Sequence, residues 1–131
     1  MEAILASAAL PFLLFPVEVL FPFPFIVEEV AKLLIVVFVI KSTSKFDSGL
    51  KTIAASSIML TLSESFFYFP NIYMVGNVAT IFKRIALAGT MHTVTFLLLY
   101  VMIRKSKYLA PIALLMASII HYLYNTNIPL K

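Results

Sequence analysis

The chain has 131 residues, of which 62% are hydrophobic and 12% charged, with a formal net charge of +4. That leaves too little polar surface to cover a soluble core, and a mean hydropathy of +1.03 fits an integral membrane protein made of one transmembrane domain over residues 1–131. The basic residues sit at the ends of apolar blocks and do not point to nucleic acid, while the absence of cysteine excludes disulfides, thiolate metal sites and cysteine nucleophiles.

The sequence predicts an all-α membrane bundle of about five transmembrane helices. The first apolar block, about 3–21, has no basic leader region, and its small residues Ala6, Ser7, Ala8 and Ala9 precede the apolar run. It therefore reads as a retained span and not a signal peptide. Pro11 and Pro16 make it short or kinked. Pro22 and Pro24 form an extended connection, because each proline restricts the residue before it. A short second helix follows over about 25–40, then a polar loop over 41–51. The third span covers about 50–69 and stops at Pro70. The stretch 71–83, with Gly76 and Asn77, reads as a loop or interfacial helix. The fourth span covers about 84–103, and Arg104, Lys105 and Lys107 make a basic turn. The fifth span covers about 108–125. Tyr68, Tyr73, Tyr100, Tyr108, Tyr122 and Tyr124 are assigned to an interfacial belt.

Orientation follows from the loop cations. With the N-terminus cytoplasmic, Lys41, Lys45, Lys51, Arg104, Lys105 and Lys107 lie inside, against Lys83, Arg84 and Lys131 outside. The C-terminus is then outside.

Ionisable side chains interrupt four of the apolar spans. Glu28 lies roughly 13 residues from Lys41, Glu64 roughly 13 from Lys51, His92 roughly 12 from Arg104 and His121 roughly 14 from Lys107. At 1.5 Å per residue each is about 18–21 Å from the same membrane face, so the four share one layer in the outer half of the bilayer. Polar groups at that depth are costly and mark function by default.

The second span carries E-E-x-x-K, and one helical face pairs Lys32 with either Glu28 or Glu29. Such a carboxylate can act as a general base; the same pattern also suits a charge pair at a helix N-terminus. In the third span Ser57, Thr61, Glu64 and Tyr68 form a polar stripe. No cation accompanies Glu64 in its own span, so it is expected to be protonated or metal-bound. His92 follows Gly89 by three residues, and His121 and Asn125 stand one turn apart as a candidate oxyanion clamp. Glu18 reads as a partner for Lys32 or a water-facing residue. Glu64, His92 and His121 are also a candidate zinc set.

Taken in order, these motifs resemble the PrsW family of intramembrane proteases, related to the CAAX-processing type II proteases. The likeness rests on Glu28, Glu29 and Lys32, on Glu64 with Tyr68, on Arg84 followed by His92, and on His121 with Asn125, across about 25–126. It implies hydrolysis of a peptide bond in or near a membrane segment of a membrane-embedded peptide or protein substrate, in the plasma membrane. Glu28 would activate water with help from His92, His121 and Asn125 would hold the oxyanion, and Glu29, Lys32 and Glu64 would tune them. The chain departs from the family at Ser57, Thr61 and Ser65, where relatives often carry glycine or asparagine. A related fold, the anterior-pharynx-defective subunit of gamma-secretase, keeps intramembrane histidines without proteolysis. A silent scaffold and an ion or proton conduit therefore stand beside the protease reading. The sequence is compatible with a monomer or an oligomer.

The orientation is testable with single cysteines at Ser44 and Asn77, labelled from outside intact cells. Label at Asn77 and protection at Ser44 are expected; the reverse pattern inverts the topology.

Overall fold

A computed structural model of the chain describes residues 1–75 and 78–127, apart from the side chains of 68, 71–73, 75 and 78. Among the described residues the chain is helical and has no strand. It forms α1 (Glu2–Leu20), α2 (Pro24–Ser42), α3 (Phe46–Val75), α4 (Val78–Lys105), a 3₁₀ turn (Lys107–Leu109) and α5 (Ala110–Asn127). Three segments, Glu2–Leu20, Ala79–Lys105 and Lys107–Asn127, are long and apolar enough to cross a membrane. α2 fails that measure because Glu28, Glu29, Lys32 and Lys41 lie within its 19 residues.

The helices run longer than their apolar blocks. α2 begins at Pro24, whose fixed φ suits a first helical turn, and continues to Ser42. The expected loop 41–51 shrinks because α3 already starts at Phe46. Asp47 in its first turn complements the helix dipole, and the Thr52 hydroxyl donates back to the Ser48 carbonyl at 3.0 Å. Pro70 lies inside α3 and does not end it. Neighbouring helices let membrane-type helices tolerate proline, and here Phe12 and Phe15 of α1 pack on the Phe67 ring at 4.8 and 5.6 Å. α1 likewise continues through Pro11 and Pro16.

α4 is the central element, packed on α3, α5 and α2, while α1 lies along α3 and α2. Val36, Val39, Ile53, Leu60, Phe96 and Leu99 are buried in the shared core. Ala113 and Ala117 are fully buried on α5, where their small side chains permit close helix approach.

Tyr100 belongs to this core and not to an interfacial belt. It is fully buried, and its hydroxyl donates to the Phe46 carbonyl at 3.0 Å, tying α4 to the start of α3. Gly49 allows the approach, since a Cβ there would overlap the Tyr100 hydroxyl. Tyr108 and Tyr122 are exposed as a belt requires, whereas the side chains of Tyr68 and Tyr73 lie outside the described set. At the same end Arg104 donates to the carbonyls of Thr43 (2.9 Å) and Ser44, closing the α2–α3 turn onto α4.

Gly49→Ala should destabilise the fold by about 1–3 kcal/mol through overpacking, and Tyr100→Phe by about 1 kcal/mol through the lost hydrogen bond. Together they should cost less than their sum, because the phenylalanine edge relieves the collision. Thermal unfolding in detergent, followed by circular dichroism, measures the three variants; strict additivity would contradict the steric origin.

Candidate functional site

Glu28, Glu29 and Lys32 project from the first three turns of α2, with Lys32 four residues from Glu28 and three from Glu29 so that it shares a face with both. The Lys32 ammonium bridges the two carboxylates, 2.9 Å from Glu28 Oε1 and 2.6 Å from Glu29 Oε1. A third contact, a hydrogen bond donated to Thr95 Oγ1 on α4 at 3.3 Å, places an oxygen from each of three side chains around the ammonium. Beneath it lies the Phe96 ring, with its centroid 5.9 Å away. Neither Lys32 nor Glu29 has any exposed surface.

The second half of the site comes from α3 and α4. Arg84 donates to Glu64 Oε1 at 3.0 Å, and His92 Nε2 lies 2.6 Å from Glu64 Oε2. His92 turns its other nitrogen towards α2, with Nδ1 3.2 Å from Glu28 Oε1. His121 enters from α5, its Nδ1 2.8 Å from Glu29 Oε1 and its Nε2 3.8 Å from Glu28 Oε2. The two imidazoles stand edge to face, centroids 5.9 Å apart. Phe25 packs beside His121 at 6.3 Å. The result is one connected chain of groups: Arg84, Glu64, His92, Glu28, Lys32, Glu29 and His121, drawn from four helices.

The three carboxylates differ in how firmly they are held. Glu64 accepts two aligned, charge-assisted hydrogen bonds, and Glu29 accepts from both Lys32 and His121. Glu28 Oε1 is close to Lys32 and His92 but aligned as a hydrogen bond with neither, and His92 Nδ1 is likewise without an aligned partner. The Glu28 side chain still keeps 14% of its surface exposed. It is thus the carboxylate with accepting capacity left and a route to solvent.

Some sequence expectations need correcting. Glu64 does not lack a cation: Arg84 supplies one across the α3–α4 interface, a pairing that spacing within one span cannot reveal. Glu18 is half-buried on α1 and is not the partner of Lys32, which Glu28 and Glu29 engage; Glu18 forms no ion pair among the described residues. It does lie within electrostatic reach of Glu28, Glu64, His121 and Lys32. Asn125 is exposed one turn beyond His121 and makes no side-chain hydrogen bond among the described residues, so the imidazole–amide clamp is not assembled. Where three potential metal ligands converge to within 4.8 Å, they are Glu28, Glu29 and His121, and not Glu64, His92 and His121. The reason is that His92 spans between Glu64 and Glu28 and uses one nitrogen on each. The Tyr68 side chain lies outside the described set. Thr95 was missed from sequence, although it follows His92 by one turn and so shares its face.

Comparison of the chain with protein-family models, with curated proteins and with solved structures finds no match.

Arg84→Met should destabilise the protein by about 3 kcal/mol, because it strands the Glu64 carboxylate among buried groups. Pairing it with Glu64→Gln should recover much of the loss. Thermal unfolding in detergent checks both, and equal stability of Arg84→Met and the native chain would show that the ion pair is not a structural tie.

Proposed function

We propose that the protein is an intramembrane protease that hydrolyses a peptide bond in or next to a membrane segment, with its site in the outer half of the bilayer. The observation that carries this reading is the convergence of Glu28, Glu29, Glu64, His92 and His121 in one network inside a helix bundle. The polarity of the chain is inverted relative to a soluble protein. Ser7, Glu29, Lys32, Ser56, Thr95 and His92 have no exposed surface, while Leu13, Leu34, Phe66 and Leu115 are each more than 60% exposed. That distribution supports a lipid-facing exterior and five spans, with the charged face of α2 covered by its neighbours while Leu34 and Phe38 face outward.

The chemistry follows from the hydrogen-bond directions. With Nδ1–H of His121 donated to Glu29, its Nε2 presents a lone pair to the gap before Glu28 Oε2. A water about 2.8 Å from each closes a triangle over their 3.8 Å separation. It donates one hydrogen to each, which leaves an oxygen lone pair free to attack the scissile carbonyl carbon. Glu28 takes the water proton and returns it to the leaving amine as the C–N bond breaks. Glu29 fixes the His121 tautomer, while Glu64, held by Arg84, fixes His92 beside Glu28. The ordered motif set from Glu28 to Asn125 supports placing this chemistry in the PrsW-type class. Asn125 would join only on substrate binding.

A catalytically silent scaffold is the second reading, favoured by the complete burial and pairing of Glu29 and Lys32, which a purely structural tie would also show. A conduit finds less support, since Val36, Val39, Phe96 and Leu99 fill the opposite half with apolar side chains.

Glu28→Gln should lower cleavage of a purified single-pass substrate by about 10²–10⁴-fold, the usual contribution of a general base. Its thermal stability should stay close to that of the native chain, because the amide retains the shape and accepting oxygen. Undiminished turnover would remove Glu28 from the mechanism. Failure of the unmodified protein to cleave any single-pass substrate would favour the scaffold.

A further inference from the structure

One carboxylate oxygen each from Glu28 and Glu29 and a ring nitrogen of His121 lie within 4.8 Å of one another, and oxygen and imidazole nitrogen are both ligand types that zinc accepts. Yet the cluster already holds a cation of its own. We propose that the Lys32 ammonium is a built-in substitute for a divalent metal: it keeps the native site metal-free, and its removal unmasks a metal site on Glu28, Glu29 and His121.

Three observations carry this. First, Lys32 Nζ already occupies one oxygen of each carboxylate in that set, Glu29 Oε1 at 2.6 Å and Glu28 Oε1 at 2.9 Å. A metal must approach those oxygens to about 2.0–2.2 Å and cannot share the space with an ammonium group. Second, Lys32 has nowhere to retreat. It is completely buried, Thr95 Oγ1 accepts a hydrogen bond from it, and the Phe96 ring lies under it. Third, charge is nearly balanced: Lys32 and Arg84 face Glu28, Glu29 and Glu64. Adding a divalent ion beside Lys32 places like charges a few ångströms apart in a low-dielectric interior. Taking Lys32 away instead leaves two carboxylates and an imidazole around a space the size of the lost ammonium. Glu29 Oε2 and His92 Nδ1, both buried without an aligned hydrogen-bond partner, then border that space as further donors.

This inference does not require the protease reading, because metal binding is read directly. The full-length protein, purified in detergent and stripped with chelator, is titrated with Co(II) and followed by its visible absorption. The native chain should bind no stoichiometric Co(II), and neither should Lys32→Arg. Lys32→Met and Lys32→Gln should each bind one equivalent, with affinity raised by about 10²-fold or more. The added site should vanish in Lys32→Met combined with Glu29→Gln. One tight equivalent in the native chain would overturn the proposal whether or not the variants fold. So would the absence of Co(II) binding by a Lys32 variant that retains native helicity and elutes as one species.

Discussion

The Lys32 ammonium between Glu28 and Glu29 is the contact on which the rest of the arrangement depends. Two adjacent acidic residues on one helix repel each other, and with Glu29 sealed and Glu28 only slightly exposed they have little solvent for relief. A cation one turn along the same helix removes the repulsion and fixes both side chains in direction. Glu29 is thereby aimed at His121 on α5 and Glu28 at His92 on α4. His92 then meets Glu64 on α3, and Arg84 completes the sequence from the helix that carries His92. In a membrane, where lipid gives helices little hydrophobic drive to associate, packing and such cross-helix polar ties would supply the specificity. The same set of groups serves both ends: it selects which helix faces meet, and it gathers the chemistry.

The two halves of the bundle are built on different principles. One half is held by charge and keeps an opening at Glu28 and Glu64. The other is closed by apolar packing, by Tyr100 hydrogen-bonded across the Gly49 gap, and by Arg104 on the carbonyls of the α2–α3 turn. The basic residues of that end, among them Lys41, Lys45, Lys51, Lys105 and Lys107, stay exposed, whereas Arg84 at the other end is turned inward onto Glu64. The asymmetry of exposed cations is therefore stronger than a count of the sequence suggests, because Arg84 is taken up by its pairing with Glu64.

Much of the helical layout was legible because long apolar blocks leave few alternatives, and because equal distances from the basic ends place Glu28, Glu64, His92 and His121 at one depth. What sequence could not supply is azimuth. Depth says which residues share a layer; rotation about each helix axis decides which of them touch, and that is set by packing between distant segments. Hence Arg84 was not matched to Glu64, Thr95 was not matched to Lys32, and Asn125 was matched to His121 although it faces outward. Helix ends were misplaced for a different reason. Polar residues at 41–51 and the proline at 70 read as breaks, but α2 and α3 narrow the first break to 43–45 and α3 continues through Pro70, where neighbouring side chains offset the local cost. Tyr100 misled in the same way: its amphipathic ring suits an interface, yet a partner carbonyl and a facing glycine suit it equally to the core.

In the proposed reaction, the roles of the three carboxylates would follow from how each is hydrogen-bonded. A general base needs an unengaged lone pair near a water, whereas an orienting carboxylate is better the more fully it is bound. Glu29 has no exposed surface, and its Oε1 accepts from Lys32 and His121 while its Oε2 is buried away from solvent without an aligned partner. Glu64 is the most exposed of the three at 23%, but Arg84 and His92 occupy one oxygen each. Glu28 combines partial exposure with contacts too poorly aligned to use up its acceptors. In the proposed mechanism, this partial exposure and these unused acceptors beside the Lys32 cation are what would fit Glu28, and not its two neighbours, to the role of base.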